Sequence, residues 1–158
     1  MFFLDSDFKH YILTMYYTNF NFSLINYSTL FQNCIDIVNK YSSNKTLVLE
    51  KICSLLKEKI DCYDWVGFYF LDEDKKKLIL RCFAGKPTDH REIPIGKGIC
   101  GQVAKTAKTF IVDDVSKEKN YISCDINVRS EIVVPIFVDG ENIGQIDVDS
   151  MIINAFDK

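Results

Sequence analysis

The sequence predicts an α/β sandwich: an antiparallel sheet of five or six strands with N-terminal helices packed on one face. Three observations lead there. Apolar residues recur at helical spacing between residues 28 and 60. The period then shortens to that of strands. Those strands come in pairs joined by turn residues rather than alternating with helices. Hairpin-linked strands make an antiparallel sheet, and helices that precede it pack together on one face. The opposite face is then free to hold a ligand under the long loops.

Residues 1–27 show no clear period and no turn chemistry, and read as a lead-in to a single domain over residues 28–158. Ser28 is expected to cap a helix over 28–41, with Leu30, Phe31, Cys34, Ile35, Ile37 and Val38 on its apolar face. After Ser42-Ser43-Asn44, a second stripe runs from Val48 through Ile52 and Leu56 to Ile60. Residues 65–71 form a short apolar run suited to a buried strand. Asp72-Glu73-Asp74 turns the chain, and 78–83 returns as the second strand of a hairpin. Residues 91–94 make a poor central strand. Gly98 opens a short helix over 99–107, a short strand follows at 109–112, and 113–129 is a polar loop. Strands at 131–138 and 143–148 are joined by Asp139-Gly140-Glu141-Asn142, a hairpin signal.

Composition narrows the function. The chain has 158 residues, 47% hydrophobic and 26% charged, which suits one soluble domain with a proper core. A net charge of −3, and no basic run longer than Lys75-Lys76-Lys77, argue against a nucleic-acid surface. No stretch approaches the roughly 20 apolar residues of a membrane span. The opening residues lack the basic start and small-residue cleavage site of a signal peptide, so a cytoplasmic location is expected. The six cysteines (34, 53, 62, 82, 100 and 124) contain no C-x-x-C, and the two histidines, His10 and His90, lie far apart. No metal is expected, and most thiols should be buried and reduced.

Strand alternation then singles out residues. Asp147 and Asp149 point the same way, about 7 Å apart, while Ile146 and Val148 face the core. Two like charges on one face suit either a wet edge strand or a cation site. Trp65 and Tyr69 share a face with Gly67 between them, which suits either core packing or the wall of a small pocket. Residues 96–101 contain a formal G-x-G-x-x-G, but no central strand precedes it and no βαβ unit surrounds it, so a dinucleotide site is disfavoured. Cys100 instead falls in the first turn of a helix, where backbone N–H groups and the dipole favour a thiolate. Cys124 lies in a polar loop, and such cysteines are more often accessible than Cys34 and Cys53 on helix faces.

Taken together, D-W-V-G-F-Y (64–69), G-K-G-I-C-G (96–101), C-D-x-x-x-x-S-E-I-V-V-P (124–135) and I-D-V-D-S (146–150) resemble the GAF-fold free methionine-(R)-sulfoxide reductases. The resemblance covers roughly residues 28–157, with the four blocks in register. It implies a GAF-like fold and reduction of free methionine sulfoxide by thiol chemistry. Cys124 falls at the family's catalytic cysteine and Cys100 at a second redox cysteine. Trp65, Tyr69, Glu131, Asp147 and Asp149 fall on the substrate pocket, and Glu131 enters by the resemblance alone.

By that implication, the Cys124 thiolate attacks the sulfoxide sulfur while one of Glu131, Asp147 or Asp149 protonates the departing oxygen. The remaining anionic groups hold the ammonium. A Cys124 sulfenic acid then condenses with Cys100 to a disulfide, which thioredoxin or another dithiol resets; no bound cofactor is implied. A homodimer stays open. Many members carry a third cysteine about ten residues before the Cys100 position. Here residues 85–91 lack it, with His90 nearest the place, so Cys100 or Cys82 must resolve, or activity is lost. A second departure is that the sequence stops at Lys158, where members continue into a helix. The competing reading is a non-catalytic GAF module that binds a small ligand or senses redox state.

Overall fold

The computed structural model describes residues 26–122 and 125–156. Two helices open it, α1 (Tyr27–Tyr41) and α2 (Lys45–Lys59). The cap of α1 is not Ser28 as expected. The helix begins a turn position earlier, and Asn26 Oδ1 accepts the Thr29 amide at 3.1 Å. Asn44 caps α2 in the same way, through the Leu47 amide at 3.1 Å. Leu30, Cys34 and Val38 bury one face of α1, and Val48, Leu49, Ile52, Cys53 and Leu56 bury that of α2.

The sheet has six antiparallel strands: β1 (Trp65–Leu71), β2 (Lys77–Ala84), β3 (Glu92–Pro94), β4 (Phe110–Val112), β5 (Ser130–Val138) and β6 (Glu141–Ser150). Their spatial order is β3-β2-β1-β6-β5-β4. The mixed α/β architecture with an antiparallel sheet, read from sequence, is therefore observed. The sixth strand is β3, on an edge, where Pro94 lacks only a donor the edge does not need. Asp139 and Gly140, with φ of 52° and 78°, form the two-residue turn between β5 and β6.

The sheet separates two cores. Val66, Phe68, Ile132, Ile136, Ile146 and Val148 face α1 and α2. Trp65, Tyr69, Leu78, Leu80, Val112 and Val133 face the other way. That second face is not left open, as the sequence suggested. Helix α3 (Gly98–Thr106) lies on it through Ile99, Cys100 and Val103, because a nine-residue amphipathic helix must bury its apolar stripe. A bulge sets which side of β2 faces where. Phe68 pairs with Cys82 and Tyr69 with Leu80, so Arg81 has no opposite residue and the alternation slips by one. Leu80 therefore packs under α3, whereas Cys82 packs under the helical layer, 3.8 Å from Cys53 Sγ. Among the described residues no helix is long and apolar enough to cross a membrane.

Candidate active site

Strand β6 is not an edge. It runs between β1 and β5, so the acids it carries are buried rather than solvated. The registers place Trp65, Asp149 and Glu131 in one row across three strands, and Gly67, Asp147 and Val133 in the next. Glu131, Asp147 and Asp149 are 5%, 1% and 2% exposed, so three carboxyl groups share one dry face. Strand alternation alone could pair Asp147 with Asp149, but only the register brings Glu131 to them.

Cys100 joins this group from the first turn of α3. Its thiol, one oxygen of Glu131 and one of Asp147 all lie within 4.8 Å of one another. Cys100 and Glu131 both hydrogen-bond to Asp147. Burial raises the pKa of Asp147 from 3.8 to about 7, and those two hydrogen bonds oppose the rise. Glu131 is raised well above the usual carboxylate range, first by burial and then by the charges of Asp147 and Asp149. Asp149 is raised as well, by burial and then by the negative fields of Asp147, Asp125 and Asp64. Such a cluster holds protons at neutral pH. Asp147 Oδ1 and Asp149 Oδ2 remain buried without a hydrogen-bond partner, and so do both amide atoms of Gln145. Each orphan costs about 1–3 kcal/mol, a cost that a merely structural sheet would shed by substituting apolar residues. The trio of Cys100, Glu131 and Asp147 is compact enough to share a divalent ion, yet its donors are already joined by proton-sharing hydrogen bonds.

Because these carboxyl groups prefer the protonated form when folded, the native state binds more protons than the unfolded chain above pH 3.8. Stability from Asp147 is complete below that pH and is lost as pH rises through about 7. Thermal melts at pH 5 and pH 8 are expected to give the lower midpoint at pH 8, with Asp147→Asn flattening the difference. A higher midpoint at pH 8 would contradict the proton-holding cluster.

The aromatic wall is equally constrained. Trp65 stacks on Phe83 at 5.6 Å and meets Tyr69 at 6.3 Å. Its indole N–H donates to the Lys86 carbonyl at 3.1 Å, and the Tyr69 hydroxyl donates to the His90 carbonyl at 2.8 Å. What approaches Gly67 is the neighbouring indole itself: a Cβ there would lie 2.1 Å from Trp65. Gly67→Ala is expected to cost about 1–3 kcal/mol by overpacking. It should also shift the emission of Trp65, the single tryptophan of the chain. An unchanged emission spectrum would show that the ring does not depend on this gap.

A small cleft of about 30 Å³ opens beside the acids. Trp65 and Asp149 line it together with Asp64, Lys86, Pro87, Thr88, Asp125, Val128 and Met151. Tyr69, Glu131, Asp147 and Cys100 do not line it and lie deeper. Cys124 lies outside the described residues, but the residue after it, Asp125, is on the cleft wall. There Asp125 pairs with Lys86 Nζ at 2.9 Å. His90, nearest the place of the missing cysteine, keeps a buried Nε2 without a hydrogen-bond partner. Cys82 is on the far side of the sheet. Gln145 was missed by the sequence reading, though alternation two residues before Asp147 marks its face. Lys86 was missed too, because nothing local to residue 86 shows that its loop folds against Trp65.

The site is thus a six-stranded antiparallel sheet with helices on both faces and a small cleft beside buried acids, the setting of a GAF domain. The GAF domain family matches residues 44–158, and the chain belongs to that family. Within it, the chain is 37% identical over 136 residues to the free methionine-R-sulfoxide reductase of Saccharomyces cerevisiae, covering 85% of this chain and 73% of that one. It is 40% identical over 105 residues to protein YtsP of Bacillus subtilis, covering 66% of this chain and 64% of YtsP, just under two thirds of that relative. The solved free methionine-R-sulfoxide reductase of Neisseria meningitidis, in complex with its substrate, matches with a TM-score of 0.72 at 34% identity. The match covers 89% of this chain and 84% of that one. The kinship expected from the four sequence blocks is thus borne out.

Proposed function

We propose that this protein reduces free L-methionine-(R)-sulfoxide to methionine, with residues 28–158 as the catalytic unit. The observation that carries the proposal is the buried, proton-holding cluster of Glu131, Asp147 and Asp149 beside Cys100, under a cleft whose rim residue Asp125 directly follows Cys124. The yeast and Neisseria relatives bear the name of this activity.

The Cys124 thiolate attacks the sulfoxide sulfur, and the Glu131–Asp147 pair supplies the proton to the departing oxygen. The oxygen leaves as water from a Cys124 S–S sulfonium. Water then attacks Cys124 Sγ and breaks that S–S bond, so methionine departs as the thioether. A proton returns to the carboxyl pair, and Cys124 is left as a sulfenic acid. The Cys100 thiol then displaces it as water, forming a Cys100–Cys124 disulfide. An external dithiol such as a thioredoxin takes that oxidation away, and no bound cofactor is needed. The arriving ammonium favours the charged form of Asp149, which gives up its proton and holds the ammonium, while Trp65 and Tyr69 enclose the methylthio end. Cys82 is a poor resolving thiol, because the sheet stands between it and Cys100.

The absence of the third cysteine favours one other reading, a GAF module that binds the same amino acid without turning it over. Methionine release from the two separated epimers, with excess dithiothreitol, decides between them. Turnover of the R epimer alone is expected. No release from either epimer, with the thiols reduced, would sink the enzyme and leave the binding module.

A further inference from the structure

The acids of the cleft account for a substrate's ammonium but leave its carboxylate unanswered. Of the nine residues lining the cleft, three are acidic, Asp64, Asp125 and Asp149, and one is cationic, Lys86. An amino acid held by its ammonium at Asp149 would press its carboxylate against this negative wall unless a cation met it. We infer that Lys86 takes the substrate's α-carboxylate and so selects a free amino acid over one whose carboxyl is in amide linkage. This inference rests on the function proposed above and adds a specificity residue to it.

The geometry suits the role. The backbone of residue 86 is fixed, since its carbonyl receives the Trp65 indole N–H. The preceding Gly85, at φ 136°, lies so close to the indole that a Cβ would sit 2.5 Å from it. The stem of Lys86 is therefore anchored to the aromatic wall, while its amine, on a side chain 63% exposed, can move. That amine now pairs with Asp125 Oδ2. An exposed pair of this kind contributes little, and an ammonium has three donors to share. Asp125 is also not dependent on it: its Oδ1 accepts from the Asn127 amide and from Asn127 Nδ2, both at 2.8 Å. Lys86 can thus bridge to a ligand carboxylate without stranding Asp125.

The test compares L-methionine with L-methioninamide, binding to the full-length protein by calorimetry at pH 6.5, where both carry the ammonium. The acid is expected to bind about tenfold tighter than the amide. Lys86→Gln should weaken the acid to the level of the amide and leave the amide as in the wild type, while Lys86→Arg keeps most of the difference. Asp125→Asn, which removes the ion pair but not the amine, should retain the discrimination. Equal weakening of both ligands by Lys86→Gln would mean that Lys86 only steadies the Asp125 loop, and would overturn the inference. So would acid binding that does not change. If the wild type bound neither ligand, the proposed function itself would fall, and this inference with it.

Discussion

Cys124→Ser is expected to abolish methionine release, by at least about 10³-fold, because a serine hydroxyl near neutral pH is a poor nucleophile towards sulfur. Cys100→Ser should behave differently. A single equivalent of methionine should still appear, because the first sulfenic acid forms without Cys100. Turnover with a thioredoxin-like reductant should then collapse, while a small dithiol that reaches Cys124 directly restores part of it. Mass spectrometry of the Cys100→Ser variant after one turnover should find the oxidation on Cys124. Full thioredoxin-supported turnover in Cys100→Ser would remove Cys100 from the cycle. Cys82→Ser is expected to be near neutral for activity, as Cys82 packs against Cys53 under the helices.

The second large effect is on the acid. Glu131→Gln and Asp147→Asn are each expected to lower kcat by about 10²-fold or more, the scale of a lost general acid. The pH profile separates this from a packing defect. In the wild type the rate should fall above the value near 7 to which burial lifts Asp147, since the departing oxygen then lacks its proton. The apparent value belongs to the coupled group of Glu131, Asp147 and Asp149 rather than to one residue. Asp147→Asn should move this basic limb, whereas a variant damaged only in packing would lose rate and keep the limb in place. Wild-type kcat still rising above pH 8, with the basic limb absent, would place the proton donor outside this cluster.

The local grammar of the fold was legible. The apolar stripes of α1 and α2, the runs of β1 and β2 and the Asp139-Gly140 turn all follow from short-range rules. The misplaced cap at Ser28 cost two residues, because Asn26 and Ser28 are equally good caps and only the final docking of α1 chooses between them. The site was half legible. Alternation put Asp147 with Asp149 and Trp65 with Tyr69, since a strand's period of two is a property of the backbone alone. Whether those acids were wet or buried could not be read, because burial depends on what lies on either side of β6.

By itself, the sequence determined the order and period of the elements, the antiparallel pairing through its turns, and which side chains of one strand share a face. Tertiary structure alone decided three things. It set Glu131 opposite Asp149, through the register of β5 on β6. It laid Cys100 over Asp147 by folding α3 back on the sheet. It sent Cys82 to the far face through the bulge at Arg81. The physical reason is common to all three. Period and capping are settled within a few residues of chain, whereas register, layer packing and the slip at a bulge are settled between segments far apart in sequence, by burying the most apolar surface at once.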